Sequence, residues 1–372
     1  MAEILKNRIA QSQVEQIAEA LWIQDSHFNK ESFIQACLLG LESLELKERA
    51  SHIAEQMYAH LDGDYQSKIE VIVRSLGAKL SSSESFGYEP FLYFPHSSFV
   101  AKWGTQNIQA SLKACEELTQ RFTAEFCIRP LIMADAELVY SQLKIWSSSS
   151  NEHLRRLVSE GTRPRLPWGM GLKQLQADPT PNLALLEALK NDPSLYVRRS
   201  VANHLNDIGK DHPELQLDIC ENWMKNPTDH IQWIIKHSLR VLIKKAHPRA
   251  LDLVGFGGKA LVKLEKCAWS HNAIDQSQKL LIKFELQNLA DSQANWLIDY
   301  WVDYVKSNQK VSRKVFKYKK LYIQSEERVQ FELSHSFQDL STRKHYAGLH
   351  KMGLSVNGVE IELGSVHLRL DS

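Results

Sequence analysis

At residues 254–260, "VGFGGKA", the hydrophobic rhythm of the chain changes, and this change governs what the chain can fold into. Before it, "VEQIAEAL", "ELKERASHIAEQMYAHL", "YQSKIEVIVRSLG" and "NIQASLKACEELTQRF" repeat apolar residues every three or four positions, the period of an amphipathic helix. After it the side chains alternate. Leu280, Ile282, Phe284 and Leu286 share one face, and Trp296, Ile298, Tyr300, Val302 and Tyr304 share a face of the next segment. A segment patterned for one period does not settle in the other, so the chain divides into helical residues 1–254, a linker at 255–260 and β residues 261–372. The Gly-x-Gly-Gly of the linker has no strand before it and no helix after it, and reads as a hinge rather than a nucleotide loop.

The fold class is therefore mainly α with an all-β tail. "LLEALKNDPSLYVRRSVANHLNDIG" and "HPELQLDICENWMKNPTDHIQWIIKHSLRVLIKK" set Pro or Asn-Pro turns between helix pairs at about the length of a HEAT repeat. Such pairs stack into a solenoid with a concave face. "LSSSESFGYEPFLYFPHSSF" interrupts the pattern and reads as an irregular, aromatic-pinned connection. The tail holds six or seven predicted strands, and "LSVNGVEIEL" is an Asn-Gly hairpin with alternating flanks. An immunoglobulin-like sandwich without its inter-sheet disulfide is expected.

Composition narrows the class of protein. With 43% hydrophobic and 24% charged residues the chain is of ordinary soluble type. "MAEILKNRIAQ" lacks the apolar run of a signal peptide, and the most apolar strip, "WLIDYWVDYV", is broken by Asp299 and Asp303, so no membrane span is expected. The 5 cysteines are scattered without a CxxC, which predicts no disulfide framework, no zinc knuckle and a cytoplasmic location. No metal or cofactor is expected, since His204 and His237 have no second ligand at metal spacing.

A net charge of +1 argues against a wholly basic nucleic-acid binder, but the charge is uneven. Residues 1–60 carry nine acids and five bases, residues 228–250 five bases and one acid, and residues 306–320 seven Lys/Arg and no acid. The basic run "KSNQKVSRKVFKYKK", with Arg313 and Lys314, reads either as a clamp for a polyanion or as a lysine-guarded edge strand.

Steps of 100° separate the faces of three helices. In "YVRRSVANHLNDI", Val197, Val201, Leu205 and Ile208 form the core stripe, with Arg199, Asn203 and Asp207 opposite. In "TDHIQWIIKHSLRVLIKK", Ile231, Ile235, Leu239 and Leu242 face inward, and Trp233, Lys236, His237, Arg240 and Lys244 face away. In "NEHLRRLVSEG", Leu154, Leu157 and Val158 are the core, and His153, Arg156 and Glu160 share the other side. Bases interleaved with rings suit phosphate contact and packing on sugar or base, whereas Lys and Glu pairs suffice for a solvated face.

"EGTRPRLPWG", residues 160–169, sets a further problem. Gly161 reads as the residue that stops a helix, which puts Glu160 at the helix end that disfavours an acid. By itself the stretch reads as a salt-bridged turn with a Trp for the core. Arg163 and Arg165 could keep the acid ionised or could bind phosphates. In "TAEFCIRPLI", Thr123 reads as a helix cap and Glu125 as a first-turn acid.

These two stretches together with "YVRRSVANHLNDI" resemble the AlkC branch of the AlkD-like DNA glycosylases, HEAT-like proteins that excise alkylated bases. The resemblance spans nearly the whole chain, including the immunoglobulin-like tail. It implies an active site of Glu125, Glu160 and Trp168, with Asp207 as a fourth position, and double-stranded DNA carrying alkylated bases as the partner of a monomeric protein. It also implies release of 3-methyladenine and 3-methylcytosine. The motifs contain no lysine for a Schiff base, which favours a monofunctional enzyme. The competing reading is a non-catalytic HEAT adaptor that binds nucleic acid or protein.

Overall fold

The computed structural model describes residues 5–81, 89–340 and 343–370. Among them are sixteen α-helices, from Gln11–Gln24 to Pro248–Leu253, followed by eight strands. Short polar side chains start many of the helices. Asn29, Asp64, Asn107, Asp135 and Asn151 each accept a backbone N–H of the first turn. Helices two or three places apart in the chain pack together: Leu46–His60 on Phe94–Trp103, Glu152–Gly161 on Leu195–Asp211, and Leu195–Asp211 on Asp229–Ser238. No helix among the described residues is long and apolar enough to cross a membrane.

Two local readings need correction. Residues 82–88 of the interrupting stretch lie outside the described residues, but Glu89–Tyr93 form a 3₁₀ turn and Phe94–Trp103 an α-helix with Pro95 in its first turn. The aromatic pinning is present, with Phe91 and Phe94 each 5.6 Å from Phe122. The long helix read over 228–245 is two helices, Asp229–Ser238 and Arg240–Lys244, with Leu239 between them in a near-bridge conformation (φ −78°, ψ 3°). Residues up to Gln216 with Asn226–Ser238 form one compact unit, and Leu217–Lys225 with the chain from Leu239 onward form another.

In the second unit the strands are β1 (Val262–Trp269), β2 (Ala273–Asp275), β3 (Lys279–Asn288) and β4 (Ala294–Val305). They continue with β5 (Val311–Ile323), β6 (Arg328–Ser336), β7 (Gly348–Val356) and β8 (Val359–Arg369). Eight strands replace the six or seven expected. They form a three-stranded sheet, β1-β3-β6, and a five-stranded sheet, β2-β8-β7-β4-β5, in which only the short β2–β8 pair is parallel. Leu280, Ile282, Phe284 and Leu286 of β3 share a core with Trp296, Ile298 and Val302 of β4, as the alternation predicts. Strand β4 is more buried than its pattern implies, since Leu297, Asp299 and Trp301 on its other face are also covered. The Asn357-Gly358 turn closes β7 onto β8 with both residues left-handed (φ 47° and 85°), the conformation a two-residue hairpin favours. The described cysteines are all free thiols.

Candidate active site

The three motifs meet where Glu152–Gly161 packs on Leu195–Asp211. Glu160 lies in the last turn of the first helix and is 6% exposed. Gly161 is not a left-handed stop residue. It is the last helical residue, capped by Thr162 at φ −96°, and a Cβ on it would lie 2.7 Å from Ile128 Cγ2. Its smallness lets the first motif pack against the second.

One Glu160 oxygen accepts from Arg163 Nη1 at 2.6 Å, and the other accepts from Ser200 Oγ at 2.6 Å. Arg156 Nη2 stands 3.6 Å from the first oxygen. Burial pushes the carboxyl pKa up, but the pull of Arg156 and Arg163 and the hydrogen bonds from Ser200 and Arg163 outweigh it, leaving Glu160 below the ordinary carboxyl value. An acid at the unfavourable helix end is thus kept ionised by its neighbours.

Glu125 sits in the turn before the helix Ile128–Ala134 rather than in its first turn. Thr123 accordingly closes a side-chain turn instead of capping the helix: its Oγ1 accepts from Glu125 N at 3.1 Å and donates to Glu125 Oε2 at 3.0 Å. The same Glu125 oxygen lies 2.5 Å from Arg156 Nη1. Asp207, 1% exposed, accepts from Arg163 Nε at 2.8 Å. Arg156 therefore joins the acids of the first and second motifs, and Arg163 joins those of the second and third. Lys210, outside the motif on the sequence, reaches Asp207 Oδ1 at 2.8 Å.

The opposed polar faces read from the sequence are thus only partly solvated. Asp207 is buried, Arg199 is exposed and Asn203 lies between, so these three do not form one open stripe. His153 is also buried, edge-on to Tyr196. Sequence reading missed Ser200, seven residues before Asp207 and hence on the same face, a spacing that a helical wheel shows. It also missed Arg129. This guanidinium is fully buried and donates to the carbonyls of Gly161 (2.9 Å), Arg163 (2.8 Å) and Met170 (2.7 Å), tying down both ends of the loop that carries Trp168. Burial and the nearby Arg163 lower its pKa to about 10, still far above neutrality.

Trp168 stands apart from this network. It is 58% exposed, has a left-handed backbone (φ 64°) and its carbonyl accepts from Lys47 Nζ. A left-handed non-glycine residue carries roughly 1–2 kcal/mol of strain. Arg165 is bidentate to Asp211 at 2.6 and 2.9 Å, at the surface. Trp233 and His237 stack at 5.0 Å with planes 8° apart, beside exposed Lys236. Arg240 and Lys244 fall in the other unit, so the predicted five-residue stripe is cut at Leu239. In the sandwich, Arg313 lies on edge strand β5, 3.8 Å over Trp301, and pairs with Asp303 and Glu360, while Lys314 is exposed. Among the described residues no three His, Cys, Asp or Glu side chains cluster as a metal site.

Fold and site define a class: a helical-repeat protein whose packed helices bury a string of alternating acids and arginines, with an immunoglobulin-like β domain following in the same chain. Residues 263–370 match the family described as "Uncharacterised protein YhaZ, C-terminal Ig-like domain". Over 332 residues the chain is 37% identical to "Uncharacterized protein YhaZ" of Bacillus subtilis (strain 168), covering 89% of this chain and 90% of that one. The solved structure of Pseudomonas fluorescens alkylpurine DNA glycosylase AlkC, bound to DNA containing an abasic site analog, superposes with a TM-score of 0.88. That match is 34% identical and covers 99% of each chain. The chain belongs to the AlkC branch of the AlkD-like DNA glycosylases.

Proposed function

We propose that this protein is a monofunctional DNA glycosylase that hydrolyses the N-glycosidic bond of cationic alkylated bases, 3-methyladenine and 3-methylcytosine, in duplex DNA and leaves an abasic site. The observation that carries this reading is the placement of Glu160 and Glu125, from two different motifs, around one cation, with Arg156 between them. An N3-methylated base already bears positive charge and leaves without a general acid. As its bond lengthens, positive charge moves to the sugar, and a fixed carboxylate stabilises it. Glu160, held ionised and hydrogen-bonded on both oxygens, suits that electrostatic task. Among the described residues Glu125 meets Arg156 and Thr123 through Oε2, and Oε1 is assigned to orient the attacking water. Release of methylated bases from alkylated duplex DNA tests the proposal. The expected products are free base and an abasic strand, with no covalent complex trapped by borohydride. An adaptor releases no base from any alkylated duplex.

Trp168 is assigned to positioning the damaged nucleotide, through a cation–π contact worth roughly 0.5–2 kcal/mol. Trp168→Gly removes the indole and the backbone strain together. Base release is expected to fall about tenfold while the thermal midpoint stays level or rises. A lowered midpoint, or an unchanged rate, contradicts the assignment.

For the β domain, DNA contact is proposed along exposed Lys314, Lys317 and Lys319 of edge strand β5. Replacing all three with serine is expected to reduce the slope of log affinity against log salt by up to about 3, or about 0.9 for each phosphate no longer neutralised. An unchanged slope assigns these lysines to guarding the edge.

A further inference from the structure

Arg156 fills the space between the two glutamates in the way a flat, delocalised cation should be held. Its Nη1 is 2.5 Å from Glu125, its Nη2 is 3.6 Å from Glu160, and its guanidinium carbon lies 5.1 Å from the centre of the Tyr196 ring. An N3-methylated purine or pyrimidine is also a flat, delocalised cation. We propose that Arg156 is the specificity-determining residue of this site: it occupies the place of the cationic nucleotide in the free protein and yields it only to a ligand that brings its own positive charge. The proposal rests on the glycosylase reading above.

The charges support displacement. Within the network Glu125, Glu160 and Asp207 face Arg129, Arg156 and Arg163, three against three, with Lys210 at the surface. A cationic base entering beside Arg156 leaves one positive charge too many. A neutral base that displaces Arg156 leaves one negative charge uncompensated. Only a cationic base in place of Arg156 restores the balance, and one misplaced unit charge at ~4 Å is worth on the order of a thousandfold in affinity. The two arginines also differ in their hold. The Arg163 side chain is 8% exposed and clamped between Glu160 and Asp207. Among the described residues Arg156 is bound only by groups on the site itself, Thr123, Glu125, Glu160 and Tyr196, and its side chain is 15% exposed, so the displacement proposed is a rotation of that side chain out of the slot.

The test uses the full-length chain and a duplex bearing one 3-deaza-3-methyladenine, a neutral isostere that cannot replace the lost charge, beside an undamaged duplex. Arg156→Gln is expected to bind the neutral isostere between about tenfold and about a thousandfold more tightly than the natural protein, with Arg156→Lys in between. A plain phosphate contact predicts the opposite sign, because losing a cation weakens binding to both duplexes. Equal or weaker binding of the isostere by Arg156→Gln overturns the proposal. Should that variant not fold, Arg156→Lys decides by the same sign. Base release by the natural protein from alkylated DNA is measured in parallel. If it fails, the glycosylase reading falls and takes this proposal with it. If it succeeds while the isostere binds no more tightly to the variant, only this proposal falls.

Discussion

Glu160→Gln is expected to lower single-turnover base release from alkylated duplex DNA about a thousandfold while leaving DNA affinity within a few-fold of the natural protein. The magnitude follows from Coulomb's law. A carboxylate ~4 Å from a developing unit charge, at an effective dielectric near 20, lowers the barrier by roughly 4 kcal/mol. Glutamine keeps the shape, its amide oxygen can still accept from Arg163 and its NH2 can donate to Ser200 Oγ, so the loss isolates charge from packing. It also leaves Arg156 and Arg163 facing one carboxylate fewer, which favours rather than opposes phosphate binding. Single-turnover kinetics with separately measured affinity check the result. Wild-type release from the variant removes Glu160 from the chemistry.

The second large effect is in stability. His96, His204 and His335 are all buried, and burial lowers the pKa of each to about 4. His204 is held neutral between Ser159 O and the Asn182 amide, and His335 between the hydroxyls of Tyr300 and Tyr304. An unfolded histidine takes up its proton near pH 6.5, while these stay neutral until about pH 4. The stability they contribute is therefore complete above pH 6.5 and is lost progressively as pH falls toward 4. A shift of that size is worth about 3 kcal/mol per imidazole, and the two in the helical unit together reach the lower part of the range of a typical domain's stability. The thermal midpoint is expected to fall steeply between pH 6.5 and 4, in the helical unit through His96 and His204 and in the β unit through His335. A midpoint level from pH 7 to pH 5 would show that these imidazoles are not buried neutral.

The switch of period, the core stripe of Val197, Val201, Leu205 and Ile208, and the Asn357-Gly358 hairpin are legible because each depends on residues close in sequence. The break at Leu239 is not, since no Gly or Pro marks it and the apolar spacing runs on through it. The site is less legible than the fold. A helical wheel places Arg156 beside Glu160 and Ser200 beside Asp207, but it does not tell a polar face that meets water from one that meets another polar face. Here the two faces meet each other, so residues that read as a DNA-facing surface instead neutralise one another. Glu125, in a turn far off in sequence, is reached only through the resemblance of its motif. The stretch "EGTRPRLPWG" reads as a self-contained turn, yet three of its hydrogen-bond partners, Arg129, Ser200 and Asp207, come from the other two motifs.

Arg129 makes that loop a dependent part. Three carbonyls of the segment 161–170 are satisfied by one guanidinium rooted in a different helix, and no side chain within the segment takes its place. Transplanted alone into another helical-repeat protein, the ten residues would lose their internal strut, and the indole would lose its bearing. The smallest portable form of this site is a pair of segments, and natural variation in one should be answered by change in the other.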